Sequence, residues 1–258
     1  MTNTKSDYSQ EEKEIIRQFI SGFQKVKEMG FVSSHRKNNT GIGKTFEDLM
    51  GIQENNIQDV DFMNLIEIKT KRLESESMLT LFTLAPTYPK KSNGYLRDTY
   101  GMVDEKGIYK KLHTTITALE YNNFGENLGF KLECNDEEER IYIRVMDKRT
   151  NTIFNDNIYY TYDKIREVIS KKCANIAFVV ADTRKNNDKE EFHFTSAKLL
   201  TGCTFESFLC AVKDGRVKYD IRIGSHKSGK NKGKVHDHGS GFRIRKNEIS
   251  SLINITEL

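Results

Sequence analysis

The chain is 258 residues long, yet it carries two prolines, four cysteines and no apolar run near the length needed to cross a bilayer. Cys134, Cys173, Cys203 and Cys210 form no CxxC pair, and none stands at metal-ligand spacing from a histidine. That sets aside a cysteine metal site and leaves buried, reduced thiols as the expectation. The opening MTNTKSDYSQEEKE has no basic-then-apolar leader, so the reading is an intracellular protein. No internal repeat and no long linker interrupt the chain. With so few prolines, Pro86 and Pro89 are informative, because both fall just after the apolar run LTLFTL and mark its end.

The composition that remains, 36% hydrophobic and 30% charged, fits a globular protein with a well-solvated surface. Its length suits one large domain or two lobes sharing a core. The formal charge of +4 is uneven, since Arg222 to Lys246 hold eight Lys or Arg against the single acid Asp237. That segment is +7 and the rest of the chain is −3. Basicity gathered in one place is what a surface tracking a polyanion requires.

Periodicity yields a mixed α/β pattern. Ser9 and Glu12 have capping-box spacing, and Ile15, Ile16, Phe19, Ile20, Phe23 and Val26 then share a helical stripe that Gly30 ends. SSHRKNNTGIG reads as a glycine-punctuated loop, and KTFEDLM begins a second helix carrying Glu47. LIEIKT and LTLFTL read as a loose β-hairpin, and Lys90 to Gly107 as loop. KLECNDEEERIYIRVMD suggests two antiparallel strands around an acidic turn, and DKIREVISKK a helix. ANIAFVVAD reads as a strand buried on both faces, because its apolar residues run without alternation. TFESFLCAVKDG suggests a helix stopping at Gly215, with RVKYDIRIG a strand after it. His35, His113 and His193 carry no signal beyond satisfied or exposed histidines, and NIYYTYD is assigned to packing.

Three constellations bear on chemistry. In DVDFMNLIEIKT, period two puts Glu67 and Lys69 on one face of a strand, with Ile66 and Ile68 on the other. Asp61 lies upstream at the mouth of that strand. Two carboxylates beside an ammonium can hold a hard divalent cation while the lysine steadies or deprotonates a water near a phosphate. GIGKT lacks the glycine that a phosphate-cradling loop needs at position 38, where Asn38 stands, and no apolar strand precedes it. The better reading is a basic loop, with Arg36, Lys37 and Lys44 able to approach a DNA backbone. In KSGKNKGK, lysines alternate with glycines, which favours a phosphate-hugging loop carrying Lys230, Lys232 and Lys234. His226, His236 and His238 join it as phosphate or base contacts, because no complete zinc ligand set is present.

RKNNTGIGKTFEDLM, DFMNLIEIKT, MLTLFTLAPTYP and YDIRIGSHKSGKNKGKVHDHGSGFRI, in this order, resemble the MvaI/BcnI restriction endonucleases, PD-(D/E)XK nucleases related to the mismatch-repair nickase MutH. The likeness runs from about Arg36 to Ile244, and Gly107 to Lys172 contribute only general pattern. It implies a restriction-endonuclease-like mixed β-sheet core flanked by helices, with two lobes forming a DNA-binding cleft. The catalytic core is expected in residues 1–110 and the recognition surface in 170–258 of a single nuclease domain. The resemblance places the major-groove recognition surface on the segment from Arg222 to Arg245, and arginine on guanine is the commonest specific base contact, which makes Arg222, Arg243 and Arg245 the candidate base readers. The resemblance also implies that Asp61, Glu67 and the Ile68 carbonyl ligate Mg²⁺, that Lys69 handles the water and that Glu47 helps complete the site. Val60 stands where the motif's name has proline.

By the same resemblance the protein is a cytoplasmic, bacterial, type II enzyme. It acts as a monomer on double-stranded DNA at a CC-x-GG-like site, leaves 5′-phosphate ends and is accompanied by a cognate methyltransferase. A strand-specific nickase and a catalytically inactive DNA-binding protein are the alternatives.

Overall fold

The computed structural model describes residues 8–52, 60–104, 107–154 and 157–258. Asp59, which opens the DVDFMNLIEIKT run, and residues 105–106 of the expected loop lie outside them. The chain is mixed α/β and divides into two compact units that interleave along the sequence. The first contains residues 1–77, 170–203 and 253–258, and the second contains 78–169 and 204–252. Residues 78–110, expected with the catalytic part, therefore belong to the second unit, and 170–203 belong to the first.

The first unit packs helices α1 (Gln10–Glu28) and α2 (Gly41–Leu49) on a sheet. The capping box forms: Ser9 Oγ accepts the Glu12 N–H, and Glu12 accepts the Ser9 N–H at 2.8 Å. Phe19, Phe23 and Val26 turn inward and join Ile42 and Phe46 of α2 in one apolar cluster. The sheet runs β1 (Val32–Ser33), β11 (Lys189–Thr201), β10 (Asn175–Asn186), β2 (Glu67–Arg72), with β15 (Asn254–Glu257) also on β11. Every residue from Asn175 to Ala181 is buried, as the unbroken apolar run requires.

β10 and β2 are parallel, with Ile176 opposite Glu67 and Phe178 opposite Lys69. This replaces the expected hairpin. LTLFTL forms β3 (Leu79–Thr83) in the second unit, paired with β14 (Gly241–Ile244), where Phe82 packs on Phe208 and Phe242. Each strand pairs with a partner distant in sequence, Lys71 and Arg72 of the charged stretch extend β2 along β10, and residues 73–77 lead on to the second unit.

The second unit has one sheet ordered β3, β14, β12 (Val217–Ser225), β5 (Lys110–Ile116), β4 (Met102–Val103), with β13 (Val235–Asp237) also on β12. A further sheet holds β6 (Leu128–Asn135), β7 (Arg140–Asp147) and β8 (Thr152–Phe154), with β9 (Tyr159–Thr161) on β7. β6 and β7 are the expected antiparallel pair. Helices α4 (Tyr162–Lys172) and α5 (Phe205–Lys213) also form as expected, α5 with a capping box between Thr204 and Ser207. The expected loop from Lys90 instead contains helix α3 (Ser92–Tyr100). Its N-cap, Lys91, supplies no side-chain bond, so no start signal exists in the sequence. Burial of Leu96 and Tyr100, with a 2.9 Å bond from Ser92 Oγ to the Pro86 carbonyl, holds it instead.

All four cysteines are thiols rather than disulfide halves. Cys173 and Cys203 are buried as expected, whereas Cys134 is half-buried and Cys210 is exposed.

Candidate active site and nucleic-acid interface

Among the described residues β2 is the edge strand of its sheet, paired with β10. Ile66 and Ile68 enter the apolar cluster, and Glu67 and Lys69 share the opposite face, as period two dictates. Glu67 is itself 5% exposed. Its two oxygens are both engaged, Oε1 by Lys69 Nζ at 2.5 Å and Oε2 by Lys172 Nζ at 2.9 Å. Lys172 went unnoticed in the sequence. Nothing local marks it, because only the parallel register of β10 on β2 brings the end of α4 to Glu67.

Asp61 Oδ2 accepts the Ile68 N–H at 2.8 Å. Within a strand the N–H and C=O of one residue point to the same edge, so the Ile68 carbonyl also leaves β10 and faces the open edge beside Asp61. Burial pushes the Asp61 carboxyl above its ordinary value and the Glu67 charge adds to this, while the Ile68 N–H, Lys69 and Lys172 oppose it. Two carboxylates that repel each other in a half-buried recess, with a backbone carbonyl on the same edge, form an all-oxygen donor set. That set fits a hard divalent cation. Asp61, Glu67, Ile68 and Lys69 are thus brought together.

Glu47 approaches from α2. Gly43 and Glu47 share one stretch of that helix, and a Cβ built on Gly43 would lie 3.5 Å from Thr70 Oγ1 and 3.8 Å from Glu47 Oε1. Gly43 thus packs beside Thr70, the residue after Lys69 on the strand's other face, with Glu47 one turn along α2. The helix begins at Gly41, so GIG is its first turn rather than part of a loop. Glycine is required there because a Cβ at position 41 would come within 2.3 Å of the Arg36 carbonyl oxygen. Lys44 is consequently helical and pairs with Asp48 at 2.7 Å. Arg36 and Lys37 remain exposed in the preceding loop, lining an open pocket of about 510 Å³ with Asp188, Lys189 and Glu190.

The basic segment leaves the Ser225 end of β12 as a loop, pairs there through β13, and returns along β12 as β14 until Ile244 stands opposite Val217. Lys230, Lys232 and Lys234 are exposed on a loop closed by the His226 N–H on the Lys234 carbonyl and the Gly233 N–H on the His226 carbonyl. His226 and His236 stack with ring centres 4.2 Å apart, and His236 and His238 lie 4.0 Å apart. His113 joins them at 5.8 Å from His238, because β5 pairs with β12 and sets it opposite Arg222. That placement was invisible in a polar stretch of sequence.

The candidate arginines differ in presentation. Arg222 has a 43% exposed side chain and gives only its Nε to Asp220, at 2.7 Å. Arg243 is 8% exposed and donates to Thr80 Oγ1 at 2.6 Å and to the Gly239 carbonyl at 2.8 Å. Its Nε is 3.1 Å from Asp220 Oδ2, an ion-pair distance without hydrogen-bond alignment. Arg222 is presented and Arg243 is buried beneath it. Arg245 is exposed just past β14.

No curated protein matches the chain. A solved structure of the restriction endonuclease MvaI with its cognate DNA substrate superposes with a TM-score of 0.87 at 35% identity, covering 98% of this chain and 99% of that one. MvaI in the absence of DNA gives a TM-score of 0.61 at 33% identity, with 99% of each chain covered. The family model for MvaI/BcnI restriction endonucleases matches residues 20–253. With that span covering nearly the whole fold and the acidic-lysine site inside it, the chain belongs to the MvaI/BcnI restriction endonuclease family and is a site-specific endonuclease.

Proposed function

We propose that this endonuclease cuts double-stranded DNA in a Mg²⁺-dependent reaction at a short CC-x-GG-like sequence, leaving 5′-phosphate and 3′-hydroxyl ends. The observation that carries the reading is the convergence of Asp61, Glu67, Lys69 and the Ile68 edge on one strand end. Restriction endonucleases generally use divalent metal ions, and MvaI is solved with cognate DNA. Asp61, Glu67 and the Ile68 carbonyl would hold the ion. What Mg²⁺ supplies when bound is neutralisation of phosphate charge and a more acidic water.

The chain's own residues do the rest. Lys69 sits at the carboxylate pair with its ammonium group, where it orients the attacking water and offsets charge gathering on the phosphate. Lys172 fixes the second oxygen of Glu67, so the carboxylate keeps one orientation. Water adds at phosphorus in line with the departing 3′-oxygen and gives up one proton to surrounding water, while the 3′-oxygen takes one from surrounding water as the P–O3′ bond breaks. Glu47, one turn along α2 from Gly43, helps complete the site.

Recognition falls to the second unit. Lys230, Lys232 and Lys234 contact phosphates, with Arg36, Lys37 and Lys44 of the first unit doing the same. Arg222 reads a base, its terminal nitrogens bonding none of the described residues, His226, His236 and His238 line the same surface, and Arg245 adds a contact from beyond the Val217 end of the sheet. Arg243 contributes through Asp220, which it shares with Arg222. The enzyme acts as a monomer alongside a methyltransferase that protects the same site. Digesting unmodified plasmid with purified protein and Mg²⁺, then sequencing the ends, tests the proposal. Discrete fragments sharing one site support it, and random nicking or no cleavage rejects it.

A further inference from the structure

Helix α3 makes contacts that packing alone does not call for. Leu96 and Tyr100 anchor it, but two of its polar side chains turn toward the segment that carries the basic loop. Arg97 is 8% exposed, an unusual depth for a guanidinium. Its Nη1 donates to Ser225 Oγ at 3.1 Å and to the Gly233 carbonyl at 3.2 Å. Ser225 ends β12 just before the loop, and Gly233 lies near the loop's far end. One guanidinium therefore ties the two stems together. Its Nε pairs with Asp98, so the charge is compensated.

Other contacts extend the clamp. Ser225 Oγ passes its own proton to the Lys110 carbonyl at 3.0 Å, linking the loop stem to β5. Asn93 Nδ2 donates to Asp237 Oδ2 at 2.9 Å. The other oxygen of Asp237 accepts from the Gly239 and Ser240 N–H groups and from Ser240 Oγ, which shapes the turn after β13. Gly94 lets the helix come close, since a Cβ there would lie 3.3 Å from Val235 Cγ2. The loop is closed by the His226–Lys234 and Gly233–His226 bonds and turned by the Lys232 N–H on Gly229 and the Lys234 N–H on Asn231, but it has no apolar anchor, with Gly229 and Gly233 at positive φ and no buried residue in its short 3-10 turn. Left alone, such a loop would sample many shapes, and ordering it would reduce affinity at each binding event.

We infer that Arg97 is a positioning residue for DNA recognition, preorganising the 226–234 loop by fastening both of its stems to α3. This rests on the reading of that loop as a DNA contact. Arg97 touches no DNA itself. Its effect belongs to the ordering of the loop and so to binding and discrimination, leaving the cleavage step at Glu67 and Lys69 untouched.

The test compares Arg97→Met, Arg97→Lys and Ser225→Ala with the unaltered protein on one cognate duplex and one with a changed site. Arg97→Met is expected to lower the ratio of cognate to non-cognate affinity roughly tenfold, the size of losing charge-assisted bonds. It should raise KM while kcat at saturating DNA stays level. Trypsin should cut the free variant faster at Lys230, Lys232 or Lys234 without a matching fall in melting temperature. Lysine reaches one of the two acceptors, so Arg97→Lys should fall between. Ser225→Ala, which keeps the buried charge, should move the same readouts in the same direction if Arg97→Met folds poorly. Unchanged affinity ratio and loop proteolysis in Ser225→Ala and Arg97→Lys would overturn the inference. Lys232→Ala separates the two layers: if it weakens DNA binding while the Arg97 variants do not, the clamp fails and the DNA reading stands. If Lys232→Ala has no effect either, the DNA reading of the loop is what fails.

Discussion

Asp61 reaches across seven residues of sequence to accept the backbone N–H of Ile68 at 2.8 Å, tying the loop before β2 to the free edge of that strand. The bond fixes one carboxylate oxygen and leaves the other toward the recess shared with Glu67. Asp61→Asn keeps an oxygen that can accept the Ile68 N–H but removes the charge. The expected result is a folded protein whose melting temperature is close to that of the parent and whose cleavage rate is lower by roughly a hundredfold or more. Gel-shift binding with Ca²⁺ in place of Mg²⁺ should survive. Cleavage at the parental rate would remove Asp61 from the site.

Lys172 shares Glu67 with Lys69, one lysine on each oxygen. Lys172→Met is expected to slow cleavage by about tenfold, since Glu67 loses one of two bonds that hold its orientation. Lys69→Met should cost roughly 10²–10³ because it removes the group facing the phosphate as well. Single-turnover rates on saturating DNA measure both. Equal losses for the two lysines would mean that Lys172 is not merely a support.

The basic surface should divide by presentation. Neutralising Lys230, Lys232 or Lys234 is expected to lower affinity for all sequences alike and to reduce the salt slope by about 0.9 per lost phosphate contact. Arg222→Ala should cost roughly 1–3 kcal/mol at particular base pairs and relax discrimination there. Arg243→Ala should instead show in denaturation, losing about 2 kcal/mol, because it leaves buried Asp220 with one arginine and frees Thr80 and Gly239. Uniform weakening by every substitution, with stability unchanged, would dissolve this division.

What the sequence could and could not convey follows the range of the interactions. The capping box at Ser9, the stripe of α1 and the buried run of β10 are local, and all were readable, whereas the Thr204 box closes on Ser207 and lacks the Glu or Gln that marks such a start. So was the shared face of Glu67 and Lys69, which needs only the period of a strand. The hairpin was misread because LIEIKT and LTLFTL each carry a pattern that any partner would satisfy, and the partners lie more than a hundred residues away. Helix α3 was missed since Lys91 gives no cap and the helix is set by what it packs on. Lys172 and His113 acquire their neighbours through strand register and Arg97 through the docking of α3, neither of which local spacing encodes. The GIGKT glycines were noticed for the wrong reason, as freedom near phosphates, when Gly41 is there to let the helix start pass the Arg36 carbonyl.

Acid should weaken the fold through the histidine cluster. Burial holds the imidazoles of His113 and His238 below their ordinary 6.5, helped at His113 by Lys111 and Arg222 and at His238 by His236 and His113 itself. Asp220 and Asp237 oppose this in part. A depressed folded value means the unfolded chain takes up protons first, so their contribution is intact above pH 6.5 and is lost as pH falls through the lower folded values. Melting temperatures measured from pH 8 to pH 5 should decline at the acid end, and a His113→Asn, His238→Asn protein should decline less. A double variant that tracks the parent across that range would refute the link.

The described residues hold one acidic-lysine site, so cutting both strands of a duplex demands either two copies at once or two visits by one copy. A dimer reading a two-fold symmetric site would need an interface, and neither a heptad pattern nor an unassigned apolar stripe appears in the sequence. A monomer must approach a nearly symmetric site in two opposite orientations, one per strand. Each approach requires release or reorientation, which takes time during which one strand is already broken. Supercoiled plasmid should therefore pass through a nicked circle before becoming linear. The nicked form should rise and fall even with enzyme in excess over sites, because excess enzyme shortens the wait without removing the order of events. Light scattering on one short cognate duplex in Ca²⁺ should give a mass of one protein per duplex. Direct conversion to linear DNA, together with a mass of two proteins per duplex, would replace the monomer with a dimer.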